Sequence, residues 1–393
     1  MTKKLLLGLA LMLILIIPTT SLCASAQSSQ QFQLNGAGST FVFPLMDKWR
    51  VEYNKINSNV QLNYQSIGSG AGIKLLTAKT VDFAASDAPL STTDAAKIPG
   101  TLTIPESIGA ITVSYNIPGL QSGLKLTGPV IASIFMGNIT KWNDKIITDL
   151  NPDANLPDQQ ISVVHRSDGS GTTFAFTDYL SNVSPDWKTG VGKGKSVPWP
   201  TGIGAQGNEG VAGVIEKTPY SIGYVELAYA FQNKMTYAFV QNADGSAFVE
   251  PSLTTTASAA SAAAINLPQA DGDWSKVSIV NQPGKDSYPI STLTYILVFK
   301  NLEQVNGMTQ DKATSEINFL KWIINDGQQF STPLLYVPIP DAVQKIDEQG
   351  LAQIQFAGNA VPEFGPISGL VLVVAIISII AVSTKAGLLM QRR

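Results

Sequence analysis

Gly109-Ala110-Ile111-Thr112-Val113-Ser114-Tyr115-Asn116 and Tyr288-Pro289-Ile290-Ser291-Thr292-Leu293-Thr294-Tyr295-Ile296-Leu297-Val298-Phe299 are the two runs that decide how this 393-residue chain is organised. Both are apolar and rich in β-branched and aromatic residues, the composition of buried strands. They divide the body into an outer pair of segments and a middle one, and a chain that leaves one unit and later returns to it has to cross twice. The expected arrangement is a first lobe of residues 27–112 plus 290–358 and a second lobe of residues 113–289. The two strands are the crossovers, and the cleft between the lobes is where a ligand would sit.

Outward from these runs, short strand-like stretches at 60–64 and 161–164 alternate with helical ones at 43–56, 73–78, 173–180 and 317–326. No internal repeat is present, and the alternation reads as α/β. The stretch 252–264 is almost all Ala, Ser and Thr and is expected to be a surface excursion or a weak helix without chemistry.

The ends set the compartment. Lys3 and Lys4 precede an apolar run over 5–17 and then Ala24-Ser25-Ala26, the pattern of a secretory signal peptide over 1–26. The run falls short of the roughly 20 residues needed to cross a hydrocarbon core, which favours cleavage over an uncleaved anchor. The single cysteine, Cys23, lies inside it behind Leu22, a poor match to a lipid-attachment site, so the mature chain is expected to carry neither thiol nor disulfide. Residues 367–384 form an uncharged apolar stretch long enough to span a membrane. A linker over 359–366 precedes it and a basic tail over 385–393 follows, so the positive-inside rule places the tail in the cytoplasm and the body outside, anchored to the outer face of the cell membrane.

Charged residues make up only 14% of the chain and the net charge is -3, with no basic run in the body. That excludes nucleic acid as a partner, because a phosphate backbone requires clustered Lys and Arg. It also means that a small anion must be captured by local dipoles rather than by the general field.

Three Gly/Ser/Thr runs offer such dipoles: Gly36-Ala37-Gly38-Ser39-Thr40-Phe41, Gly68-Ser69-Gly70-Ala71-Gly72 and Asp168-Gly169-Ser170-Gly171-Thr172-Thr173, each leading into a helical stretch. Glycine lets backbone N–H groups approach a ligand, Ser and Thr add hydroxyl donors, and a helix N-terminus adds unsatisfied donors and the positive end of its dipole. One such run is an ordinary helix cap. Three point to one kind of ligand, an oxyanion. Arg166, at the end of an expected strand, can grip oxygens with its planar fork, and Asp168 can hold that fork. Asp87, after an apolar strand and before a Pro-containing turn, could be a cap or an acceptor. A carboxylate only accepts, so beside an anion it tolerates a protonated oxyanion and repels a fully deprotonated one.

Asn35-Gly36-Ala37-Gly38-Ser39-Thr40-Phe41, Val81-Asp82-Phe83-Ala84-Ala85-Ser86-Asp87-Ala88-Pro89-Leu90, Arg166-Ser167-Asp168-Gly169-Ser170-Gly171-Thr172, Gly207-Asn208-Glu209-Gly210 and Ile222-Gly223-Tyr224-Val225-Glu226 together resemble the substrate-binding proteins of phosphate ABC transporters, over nearly the whole body. The resemblance implies a two-lobed periplasmic-binding-protein fold of type II that closes on one dehydrated phosphate. It implies bonds to phosphate from Thr40, the Phe41 backbone, Ser69, Arg166, Ser170, the Gly171 backbone and Thr172, with Asp87 accepting the phosphate proton and Asp168 partnering the arginine. It also implies a monomer that delivers phosphate to an ABC permease, with no enzymatic activity, cofactor or metal.

Two features depart from that pattern. His165, the only histidine, stands beside the arginine and is expected to be structural. The C-terminal anchor is unusual, and Pro362-Glu363-Phe364-Gly365 resembles an archaeal sorting signal, which would exchange the tail for a lipid. There is no Gly-x-Ser-x-Gly elbow and no pair of histidines for a zinc site, and Thr189-Gly190-Val191-Gly192-Lys193-Gly194-Lys195-Ser196 lacks the first glycine of a P-loop. Asn138 and Asn182 open glycosylation sequons. Two alternatives remain: a receptor for sulfate, molybdate or arsenate, and a surface protein with no transport role.

Overall fold

The computed structural model describes residues 31–263 and 267–361. The expected signal peptide over 1–26 with Cys23, the Pro362-Glu363-Phe364-Gly365 run, the apolar segment over 367–384 and the basic tail lie outside the described residues. Among the described residues, no helix is long and apolar enough to cross a membrane.

The strands, in chain order, are β1 (Phe32–Gly38), β2 (Val60–Ser66), β3 (Phe83–Ser86), β4 (Thr101–Asn116), β5 (Lys125–Leu126), β6 (Ser162–Arg166), β7 (Ile203–Ala205), β8 (Ser221–Glu226), β9 (Thr236–Tyr237), β10 (Phe239–Gln241), β11 (Phe248–Val249), β12 (Ser291–Phe299), β13 (Gln355–Phe356) and β14 (Asn359–Ala360). The main sheet runs in the order β2-β1-β3-β12-β4-β8-β6-β7, with β9 also paired to β4. β1 lies parallel to β2 and β3, and β6 lies parallel to β7 and β8, as expected where helices connect the strands. β12 is antiparallel to β3 and β4, and β8 is antiparallel to β4.

β4 belongs to both halves of this sheet. Residues 101–110 pair with β12, and residues 111–116 pair with β8. The chain returns beside it, where the Ile111 N–H donates to the Ile290 carbonyl at 2.8 Å. The strand begins well before the 109–116 run, because Pro105 and Glu106 are accommodated by a bulge: Thr294 pairs with Ser107 and Tyr295 with Pro105, leaving Glu106 between them.

The helices bury the faces that their spacing predicts. In Phe43–Ile56, Leu45, Met46, Trp49 and Tyr53 face the core. The Trp49 indole donates to the Gly327 carbonyl at 2.8 Å, and truncating it to Ala would cost roughly 3–5 kcal/mol. The other half of the sheet is packed by Phe135, Phe176 and Tyr224. Phe135 meets Phe176 edge-on at 4.9 Å, and Phe176 stacks on Tyr224 at 4.3 Å.

Several boundaries differ from expectation. The Ala/Ser/Thr stretch is the helix Leu253–Ala263, packed on β4 and β12 with Thr256 and Ala259 buried, because small side chains let a helix approach a sheet closely. The helix expected at 317–326 spans Gln310–Ile324, started by Thr309, whose side chain caps Lys312 N. Residues 359–361, expected to begin a linker, continue the folded body: β14 pairs with β13, and Val361 is buried.

Candidate functional site

β1 ends at Gly38 with φ of +139°, where a Cβ would lie 2.1 Å from the Ala85 carbonyl oxygen. Only glycine allows β1 to approach β3 so closely and turn the chain into Ser39. Gly36 and Gly38 therefore belong to a strand, not to a donor loop as the sequence suggested. The buried Ser39 hydroxyl accepts from the N–H groups of Phe41 (3.0 Å) and Val42 (3.3 Å) and donates to Asp87 Oδ1. Thr40 Oγ1 accepts from Asn208 Nδ2 at 2.9 Å, and the Thr40 carbonyl accepts from the Tyr229 hydroxyl at 2.7 Å. The Phe41 ring packs edge-on against Tyr336.

Ser69 opens the helix Ser69–Thr77, earlier than the expected start at 73. Its hydroxyl accepts from Asp87 N at 3.3 Å and from Gly171 N at 3.1 Å, which ties the end of β3 to the start of the helix Gly171–Val183. The Gly70 N–H donates to the Gly169 carbonyl at 2.8 Å. Asp87, just past β3, is fully buried, and its Oδ1 also accepts from the Thr294 hydroxyl at 3.1 Å. Burial pushes its carboxyl up to about 6, against the lowering effect of the Ser39 and Thr294 hydroxyls and the Arg166 charge.

Arg166 ends β6 with its guanidinium buried. Its Nε donates to Asp168 Oδ1 at 2.7 Å and its Nη2 to Oδ2, a two-point grip that fixes the plane of the fork. Its Nη1 reaches Thr172 Oγ1 at 3.4 Å. Burial alone would raise Asp168, but the bonds and charge of Arg166 outweigh it and hold the carboxyl below its usual value. Ser170 caps the helix Gly171–Val183 by accepting from Thr173 N at 3.0 Å. A Cβ on Gly171 would stand 2.6 Å from Asp87 N, Asp87 Oδ2 and Ser69 Oγ, so no side chain fits there.

The expected phosphate-binding residues and Asp168 thus fall within one hydrogen-bonded cluster, with Asn208 Nδ2 joining Thr40 to Thr172 at 2.9 and 3.1 Å. The N-termini of four helices converge on it among the described residues: Phe43–Ile56, Ser69–Thr77, Gly171–Val183 and Gly207–Lys217. His165 stands outside, stacked on Trp199 at 4.8 Å with Nδ1 3.0 Å from the Arg166 carbonyl. Members of the cluster that carried no assigned role in the sequence include Ser39, Asn208, Tyr229 and Thr294. Asn208 lay within a quoted motif. Thr294 lay in an apolar strand far along the chain, and nothing in its local pattern marks it.

The PBP superfamily domain matches residues 24–326. The chain is 45% identical over 327 residues to the phosphate-binding protein PstS of Xylella fastidiosa, a match that covers 82% of this chain and 85% of that one. It is 36% identical over 369 residues to the PstS of Methanocaldococcus jannaschii, covering 87% and 94%. Among solved structures, a high-affinity periplasmic phosphate-binding protein bound with phosphate shares the fold with a TM-score of 0.63 at 18% identity, covering 80% of this chain and 92% of that one. The mixed α/β architecture is that of the type II periplasmic binding proteins.

Proposed function

The chain belongs to the PBP superfamily and, within it, to the PstS phosphate-binding proteins, and on that premise we propose that it captures inorganic phosphate at the cluster around Asp87 and Arg166. The protein is a phosphate receptor of the extracytoplasmic kind, and its family is one of substrate-binding receptors. Thr40, Phe41, Ser69 and Asp87 offer one wall of the site; Arg166, Ser170, Gly171 and Thr172 offer the other. We assign the walls to two lobes, residues 27–112 plus 290–358 and residues 113–289, which close on the anion. The Phe41 and Gly171 N–H groups, bonded to the Ser39 and Ser69 hydroxyls, would turn to phosphate oxygens on binding.

The observation that carries this reading is the contrast between Arg166, held rigid by Asp168, and Asp87, a buried carboxylate whose Oδ1 is already surrounded by hydroxyl donors. Near neutral pH phosphate keeps a proton that Asp87 can accept. Sulfate has none, and two facing acceptors in a buried site are strongly disfavoured, with discrimination on the order of 10⁴-fold. The cluster has one cation, paired with Asp168, so capture relies on oriented dipoles rather than on net charge.

The receptor would hand phosphate to the permease of an ABC importer. The uncharged segment 367–384, behind a leader of secretory type, would hold it at the outer face of the membrane, or would be exchanged for a lipid at the Pro362-Glu363-Phe364-Gly365 run. Calorimetric titration of the purified protein with phosphate, with and without excess sulfate, tests the reading. Tight one-to-one phosphate binding that ignores sulfate is the expected result. Competition by sulfate would move the protein to another oxyanion, and absence of binding to either would remove it from transport.

A further inference from the structure

Glu106 sits beneath the candidate site, and neither the expected ligand set nor the motifs that carry the family resemblance include it. It is the extra residue of the β4 bulge, the device by which a strand re-aims a side chain. The residue is fully buried, and its Oε1 lies 3.1 Å from Thr294 Oγ1. The same Thr294 oxygen lies 3.1 Å from Asp87 Oδ1. One hydroxyl therefore stands between two carboxyl groups, and a hydroxyl has a single proton to give. If both carboxyls were ionised, one of these two contacts would set acceptor against acceptor.

A proton on one carboxyl resolves the conflict, and the surroundings decide which. Ser39 accepts from two backbone N–H groups, so its own proton points to Asp87. Asp87 also lies in the field of Arg166. Glu106 has no such support: its Oε2 is buried and has no hydrogen-bond partner. We propose that Glu106 is held as a neutral carboxylic acid that donates to Thr294, turns the Thr294 proton onto Asp87, and so keeps Asp87 in the state that accepts a proton from phosphate. Glu106 is a positioning residue; it does not touch the ligand. The inference rests on the phosphate-receptor reading above.

Burial lifts the Glu106 carboxyl to about 8, above the value of about 6 for Asp87, in the order that the geometry requires. The other ionisable groups around the pair are Arg166 from β6, Glu226 at the end of β8, and the tyrosines Tyr64, Tyr229, Tyr295 and Tyr336. Burial raises all four tyrosines, so they stay neutral over the range of interest. Burial also raises Glu226, which is bonded to Ala228 N and to the Tyr336 hydroxyl rather than to Thr294. Once Glu106 ionises, it competes for the Thr294 proton and adds a second negative charge under the bound anion.

The test is the pH dependence of phosphate affinity in the full-length protein, with folding checked by thermal unfolding. In the native protein, affinity should fall by roughly tenfold for each pH unit above the Glu106 value. Glu106→Gln keeps a neutral donor and should abolish that fall, whereas Glu106→Ala should weaken binding at pH 7, with Gln rescuing what Ala loses. A limb that persists in Glu106→Gln, or that disappears instead in Glu226→Gln, would overturn the proposal. A measurement that needs no phosphate is the infrared band of a buried carboxylic acid at pH 7. Burial also raises Glu226, Glu316 and Asp347, so the readout is the native-minus-variant difference: a component of the band that Glu106→Gln removes supports the assignment, and a band unchanged in Glu106→Gln, or absent from the native protein, refutes it. If phosphate fails to bind at any pH while that component is present, the receptor reading fails and the protonated glutamate stands.

Discussion

The two walls of the site each hold a largely buried carboxylate, yet the environments drive them in opposite directions. Asp168, beside β6, is buried against a guanidinium that grips both of its oxygens, and it is kept ionised. Asp87, at the end of β3, is buried against hydroxyls, with a protonatable glutamate beyond them, and its affinity for a proton rises. One side chain type can thus serve as a strut or as a reader of protons, according to whether its neighbours bring charge or only dipoles. On the proposed reading, the Arg166 wall would supply grip and the Asp87 wall discrimination.

The largest effect is expected for Arg166→Ala. It removes the charge-assisted donors and leaves Asp168 without its partner. Phosphate binding by calorimetry should weaken by about 3–5 kcal/mol, with little change in sulfate exclusion. Equal loss of selectivity would mean that the walls do not divide the work as described. Asp87→Asn should do the reverse, admitting sulfate as a competitor while phosphate still binds.

The same variant should also change stability. A carboxyl raised from its unfolded value to about 6 costs the folded state its full amount above pH 6, progressively less below, and nothing once pH falls beneath the unfolded value. Asp87→Asn should therefore stabilise the ligand-free protein by up to about 3 kcal/mol at pH 7, an advantage that fades towards pH 4 in thermal unfolding scans. By the same titration, sulfate should begin to compete in the native protein as pH drops through about 6, because a protonated Asp87 becomes a donor.

The smallest expected effect is at the partly exposed pair in which Lys195 Nζ meets Asp94 Oδ2 at 2.6 Å, between segments assigned to the two proposed lobes. Lys195→Met should change phosphate affinity by no more than about fivefold, and the change should shrink with added salt, because partly exposed ion pairs contribute about 1 kcal/mol or less. A larger effect would make this pair a determinant of closure.

Much of the site was legible because its chemistry is local. A Ser that opens a helix and an Arg two residues before an Asp are short-range relations, as Ser170 and the Arg166–Asp168 pair show, whereas Gly38, read as part of a donor loop, ends a strand because of its contact with β3. The helix Phe43–Ile56 matches expectation at both ends for the same reason, since its apolar spacing and Pro44 are local signals. What was illegible depends on contacts across long stretches of chain. Thr294 meets Asp87 from a strand 207 residues away, and Asn208 meets Thr40 across 168.

The α/β alternation and the oxyanion character of the ligand were set by the sequence alone, because periodicity, turn chemistry and donor type are written residue by residue. Only the tertiary structure decided that Pro105 and Glu106 would be absorbed into a bulge of β4, and that β12 would bring Thr294 between two carboxyls. Where protons sit in that buried cluster is a property of neighbours joined by folding rather than by the chain, and no local pattern encodes it.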